Sequence, residues 1–296
     1  MSRIQAYSRE FMHCMGIPGH MPLPMTEYSI EDLKGMARKL RRHVITMIST
    51  AGSGHPGGSL SAADIITALY FRVMRHDPKN PRWPDRDRFI LSKGHAAPIL
   101  YAALAECGYF PLEWLTTLRK TGTCLQGHTD STLTPGVDMS AGSLGQGLSV
   151  GIGMALAARL DKKEYRTYVM LGDGECQEGQ VWEAAMFAPN YKLDNLTAIV
   201  DFNGLQLDGP TSKIMDLEPF VDKWRSFKWE ALVIDGHDMQ QIVDALQKSA
   251  QVKGRPVVIV ARTVKGRGVS FMENNVDYHG KAPGKSETET ALKELA

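Results

Sequence analysis

The sequence predicts an α/β fold: one parallel sheet with helices on both faces. Two observations predict it. Short apolar runs alternate with segments of helical periodicity through the second half of the chain. That alternation, with runs apolar throughout, is the pattern of parallel strands covered on both sides. The best-defined runs also end in polar, turn-forming residues, Gly172-Asp173-Gly174 after Tyr168–Leu171 and Asn203 after Leu196–Phe202. Two parallel strands would place these at neighbouring carboxyl ends, where open α/β sheets bind ligands.

Taken in order, residues 1–28 read as an irregular arm with five Met and three Pro, either flexible or a lid or partner contact. Ser29 is a helix cap with acids behind it, and Leu33, Met36, Ala37, Leu40, Val44, Met47 and Ile48 form one apolar helical face. The stretch Ala51–Gly58 is expected to break the helix, with a second helix over 61–74. A Pro-rich loop (77–84) leads to a strand at Arg88–Ser92, which runs into Lys93-Gly94-His95 and a helix through Leu104. A polar loop (121–142) precedes an Ala- and Gly-rich helix over 143–160. The remainder reads as strand 167–171, helix 179–188, strands 196–202 and 229–234, helix 238–250 and strand 256–263. Neither a repeat nor a linker interrupts this, so residues 29–296 are expected to be one domain.

The 296 residues carry a net charge of +1, which gives no pointer to nucleic acid or an acidic membrane. No apolar run approaches the roughly 20 residues that span a bilayer. The N-terminus lacks the ordered segments of a signal peptide. Cys14, Cys107, Cys124 and Cys176 are scattered and read as reduced thiols, so a cytoplasmic protein is expected. A metal site at His13, Cys14 and His20 lacks a fourth ligand at a plausible spacing.

Asp173, the Asn203 side chain and the Leu205 carbonyl are three oxygens suited to a hard divalent cation such as Mg2+. Two diphosphate oxygens and a water would complete its shell. Gly174 would let backbone approach a phosphate. The alternative is two ordinary turns after two strands. His55, His95, His128 and His279 each lie in a Gly-bearing loop or at an element end, suited to moving protons around a carbonyl or simply packing. His43, His76 and His237 read as solvated or structural. Gly142-Ser143-Leu144-Gly145-Gln146-Gly147 opens a helix, and is either an anion site made by free N–H groups or a close-packing seam continued by Gly151 and Gly153. Lys265-Gly266-Arg267-Gly268 is a basic glycine loop that either holds phosphate or is solvated.

These motifs together resemble the N-terminal half of transketolase. The match covers nearly all of residues 29–285: Ser-Gly-His-Pro-Gly, Leu-Ser-Lys-Gly-His, Gly127-His128, Gly-Ser-Leu-Gly-Gln-Gly, Gly-Asp-Gly-Glu, Asn203 and His279 fall in the family's order. Gly57-Gly58-Ser59-Leu60-Ser61 and Arg88–His95 look most like transketolases split into two subunits. The resemblance implies a diphosphate-binding domain for thiamine diphosphate (ThDP), with Mg2+, Ca2+ or Mn2+ on Asp173, Asn203 and the Leu205 carbonyl. It implies His95, Gly174 and His279 at the diphosphate, Gly142 and Leu144 along the cofactor, and Leu207 at its pyrimidine. It places His128 at the donor's terminal hydroxyl, and His55 and His279 at the acceptor carbonyl. Glu178 matches a glutamate that meets its counterpart across the subunit interface.

The family's pyrimidine-activating glutamate lies in the following domain, before which this chain ends. The expected function is therefore half of an enzyme that moves a two-carbon ketol unit from a ketose, usually phosphorylated, to an aldose. A C-terminal subunit would complete it, in an α2β2 assembly. The rivals are the α-subunit of a 2-oxoacid dehydrogenase, a deoxyxylulose-phosphate synthase fragment, and a non-catalytic binding or regulatory subunit on the same fold.

Overall fold

The computed structural model describes residues 28–296, so residues 1–27 of the arm, with the His13, Cys14 and His20 set, lie outside the described residues. The helices are α1 (Ile30–Ala51), α2 (Pro56–Ser61), α3 (Ala63–Ala68), α4 (Ala97–Cys107), α5 (Gln146–Leu160), α6 (Gly179–Asn190), α7 (Thr211–Ile214), α8 (Phe220–Ser226), α9 (Met239–Gln251) and α10 (Lys285–Glu294). The strands are β1 (Arg88–Leu91), β2 (Thr167–Gly172), β3 (Leu196–Phe202), β4 (Leu205–Gln206), β5 (Gly209–Pro210), β6 (Glu230–Asp235) and β7 (Val257–Arg262). Strands β1, β2, β3, β7 and β6 form one sheet in that spatial order, every neighbouring pair parallel.

The pleat separates two cores. Successive side chains point to opposite faces. Phe89, Leu91, Tyr168, Met170, Ile199, Val257, Ile259 and Ala261 join α1, α4 and α9 on one side. Ile90, Val169, Leu171, Ala198, Val200, Val258 and Val260 join α5, α6 and α8 on the other. Both faces are covered, as the unbroken apolar runs require.

Register then sets the site. Gly172 pairs with Asp201, and Asp201 with Ala261. The segments beginning at Ser92, Asp173, Asn203 and Thr263 therefore leave the sheet along one edge. In α1, the Ser29 hydroxyl accepts from the Asp32 N–H at 3.1 Å while the Asp32 carboxylate accepts from the Ser29 N–H at 3.0 Å. This is a capping box built with Asp.

Two predicted boundaries are corrected. The second helix starts at Pro56, not at residue 61. Proline at the first helical position needs no donor and already has helical φ. Gly57 and Gly58 serve close approach instead: a Cβ at Gly57 would sit 3.0 Å from the Tyr278 carbonyl, and one at Gly58 3.3 Å from His95 Nε2. The helix expected over 143–160 starts at Gln146, because Gly145 takes a left-handed φ of +83° that an α-helix excludes.

Candidate active site

The four loop histidines come together although up to 224 positions separate them in the chain, from His55 to His279. His55 is central. Its ring centroid lies 5.4 Å from His95, 6.0 Å from His128 and 5.7 Å from His279. His95 and His279 stack at 5.0 Å. His55 caps α2, His95 follows β1, His128 lies within the polar loop and His279 ends a short 3-10 turn. His43, His76 and His237 stand apart. Each is tied into the scaffold, His237 through Asp64 at 2.8 Å and the Val264 N–H at 2.8 Å.

Burial, helped by Arg119 and Lys265, lowers His55 to about 4. Burial and Lys265 lower His279 to about 3. His95 is also held below the usual imidazole range, mainly by burial, and the surface-reaching His128 is lowered by partial desolvation and then by Arg119. The imidazoles are thus held toward their neutral form. They are bordered by Arg119 and by Lys265, which burial lowers to about 8 and leaves mostly charged at pH 7, a setting that favours an anionic ligand. Folding therefore excludes protons that the unfolded chain takes up near 6.5. Stability is full above that pH and is lost as pH falls toward 4. We predict that the cofactor-free chain's unfolding free energy drops between pH 6.5 and 4.5, by up to about tenfold in equilibrium constant per pH unit for each histidine. In a His55→Gln/His279→Gln variant the drop is shallower. Parallel denaturation curves for the two proteins would refute this.

At the strand ends, the buried Asp173 carboxylate accepts from the backbone N–H of Gly174 at 2.8 Å and from that of Gly204. Burial and the nearby Asp201 push it up to about 7. Asn203 Oδ1 accepts from the Leu205 N–H at 3.1 Å. Lys265 Nζ donates to the Leu205 carbonyl at 3.2 Å and to His279 Nδ1 at 2.7 Å. A carboxylate held in a buried site without an ion pair, beside a neutral amide and a carbonyl oxygen, fits a hard cation. Among the described residues no three His, Cys, Asp or Glu side chains converge on a metal site. The oxygens present would thus need further ligands, and diphosphate oxygens suit that need. Leu207 is exposed at the rim, at 62% of its surface, as is Glu178, which caps α6 and packs on Gly145. A Cβ at Gly142 would lie 4.0 Å from the His128 ring, and Leu144 nearby is half-buried.

At Gly145 and Gly147 the glycine-rich helix entrance is a packing seam. The Gly145 N–H donates to Glu175 at 2.9 Å and the Gly147 N–H to Ser92 at 3.1 Å. A Cβ at Gly147 would fall 2.3 Å from Ser92 Oγ, and one at Gly151 2.4 Å from Val169 Cγ2. Glu175, which also accepts from Ser92 Oγ and from the Gly172 N–H at 3.0 Å, ties that entrance to β1 and β2.

Sequence reasoning missed three groups. Lys93 and Asp201 form a fully buried pair under the histidines, with Ser61, Thr263 and the Gly58 carbonyl completing their hydrogen bonds. A single Asp inside the apolar run 196–202 was the available signal. Glu175 stood in a quoted motif without a role. Arg119 had no local signal; it reaches Ser53 and His55 from a distant loop. Of the basic glycine loop, Lys265 is buried in the site and Arg267 is exposed.

Residues 33–296 match the family described as transketolase, thiamine diphosphate binding domain. The chain belongs to the transketolase family. It is 48% identical over 271 residues to the 6-deoxy-6-sulfo-D-fructose transketolase subunit SqwG of Clostridium sp. (strain MSTE9), covering 92% of this chain and 98% of that protein. It is 41% identical over 267 residues to an apulose-4-phosphate transketolase subunit of Phocaeicola vulgatus, covering 90% of this chain and 95% of that one. The solved transketolase of Campylobacter jejuni superposes with a TM-score of 0.84 at 33% identity, over 89% of this chain and 42% of that one. Transketolase relatives thus include chains of this length and chains more than twice as long. The family assignment carries ThDP binding and the two-faced parallel sheet with it. No described helix is long and apolar enough to cross a membrane.

Proposed function

We propose that the chain is the ThDP- and divalent-metal-binding subunit of a two-subunit, cytoplasmic transketolase. It moves a two-carbon ketol unit from a ketose to an aldose. The observation that carries this is the convergence of four imidazoles with Lys265 on the strand ends bearing Asp173 and Asn203.

In this reading Asp173, Asn203 and the Leu205 carbonyl hold Mg2+, for which Ca2+ or Mn2+ can substitute. Lys265, His95, His279 and the Gly174 backbone face the diphosphate. Gly142, Leu144 and Leu207 line the cofactor. When bound there, ThDP would supply the carbanion chemistry that ketol transfer needs. The residues of this chain orient substrate and move protons. His128, exposed beside Gly142, meets the donor's terminal hydroxyl. His55 and His279 meet the acceptor carbonyl. Glu178, at the surface, meets a partner subunit that carries the pyrimidine domain and the activating glutamate, in an α2β2 complex. The names of the two relatives, one for a sulfo-ketose and one for a ketose phosphate, support a donor with an anionic end. The loop histidines favour this reading over a 2-oxoacid dehydrogenase subunit, and the intact donor set favours it over a non-catalytic one.

The test is to assay the chain with ThDP, Mg2+ and a panel of ketose donors, by itself and mixed with the C-terminal transketolase subunit. Ketol transfer is expected from the mixture only. Equal turnover by the chain without its partner, or none from the mixture with any donor, overturns the reading.

A further inference from the structure

Arg119 holds a left-handed backbone, φ +60°, a region that Cβ sterics make costly for a non-glycine residue. The loop fixes it there through the Arg119 N–H, which donates to the Leu125 carbonyl at 3.0 Å. The side chain then runs past Gly127, where a Cβ would lie 2.9 Å from Arg119 Nε. Its guanidinium donates through Nη1 to Ser53 Oγ and through Nη2 to His55 Nδ1 at 3.3 Å. One side chain thus ties the loop of His128 to the loop of His55, across 64 positions of sequence.

The second bond has a chemical consequence. A guanidinium carries only donors and stays charged. Nδ1 of His55 must therefore be the acceptor, and the ring proton must sit on Nε2. We propose that Arg119 is a positioning residue that locks His55 as its Nε2–H tautomer, so that His55 presents a neutral N–H donor, not a basic lone pair, to the site. Adding a proton to Nδ1 would set N–H against N–H. The groups that bear on the ring are Arg119, Lys265 and the imidazoles of His95, His128 and His279, and none offers an anion to stabilise an imidazolium. Ser53 holds the guanidinium from its other edge, which fixes the direction of the bond to His55.

The substrate half of the inference rests on the reading that His55 faces the acceptor carbonyl. There it supplies a hydrogen bond to the oxygen that gains negative charge. The tautomer half does not depend on that reading, which allows the two to be tested apart.

The readout is the ring 15N spectrum of the full chain labelled with [15N]histidine, His55 being assigned by its loss in His55→Gln. At pH 7 the wild type should show a protonated Nε2 and an unprotonated Nδ1. Arg119→Met should show a mixture of tautomers, and Arg119→Gln and Arg119→Lys, which keep an N–H donor, should restore part of the wild-type pattern. In the two-subunit complex, Arg119→Met should lower kcat/KM for the acceptor by about 10–100-fold, the usual worth of a partner that fixes a histidine tautomer, with ThDP affinity unchanged. A wild-type His55 protonated on Nδ1, or a tautomer unchanged in Arg119→Met, overturns the proposal. A changed tautomer with unchanged acceptor kinetics upholds the lock and overturns the acceptor assignment of His55. Should Arg119→Met fail to fold, the wild-type spectrum and the Gln and Lys variants still decide the tautomer.

Discussion

Replacing Asp173 by Ala is expected to weaken ThDP binding by at least about a hundredfold at fixed Mg2+. Groups that merely support a metal ligand are typically worth 10–100-fold, and Asp173 is proposed as a ligand itself. The physical case is the state of its carboxylate. It is 1% exposed, its hydrogen-bond partners among the described residues are backbone N–H donors, and burial with Asp201 pushes it up to about 7. A cation would relieve that stress, and a methyl group offers nothing to a cation. The same substitution orphans the N–H groups of Gly174 and Gly204, each worth about 1–3 kcal/mol if left buried and unpaired. Asp173→Asn, which keeps a side-chain oxygen but loses the charge, therefore accompanies it as a check on folding. Calorimetric titration of ThDP into the two-subunit complex measures the effect. Equal affinity in wild type and both variants would remove Asp173 from the metal site.

His128→Ala should lower donor turnover by roughly 10²–10⁴, the usual worth of a positioned proton-transfer group, while ThDP affinity and melting temperature stay near wild type. The structure separates these effects. The His128 side chain is exposed. Its backbone is pinned independently, because the Tyr101 hydroxyl donates to the His128 carbonyl at 3.1 Å and to the Gln126 carbonyl at 3.0 Å. Truncating the ring should leave the loop in place. Donor half-reaction kinetics, ThDP titration and thermal melting on one preparation of the complex decide the matter. Normal turnover with a lowered melting temperature would mean that His128 only packs.

Much of this was readable from the chain. The apolar runs at β2, β3 and β7 announced a sheet buried on both faces, since a strand with one wet face would alternate. The four loop histidines carried local marks, glycine or an element end, and their common location follows from strand order. Other features depend on partners far away in sequence. Nothing near Gly145 or Gly147 says that Glu175 and Ser92 consume their N–H groups. Pro56-Gly57-Gly58 looks like a helix breaker until the Tyr278 carbonyl and His95 are seen to need the space. Arg119 sits in a turn just before the polar loop, and only the folded chain puts its guanidinium on His55.

The glycines of α5 carry a consequence for what this helix can become. At Gly147 and Gly151 the helix backbone lies directly on Ser92 and Val169, so the gap between helix and sheet is set by the absence of side chains. Even one methyl at either position would wedge the helix outward, the overpacking that typically costs about 1–3 kcal/mol in a full core. The displacement would also act at the helix N-terminus, where Gly145 hangs on Glu175 and Gly142 borders His128. Substitutions on the outer surface of α5, as at Gly153 where a Cβ meets nothing within 4 Å, escape that constraint. One helix thus carries two regimes of tolerance: a free outer face on which sequence can drift, and an inner face where the smallest residue works as a spacing gauge for the substrate pocket.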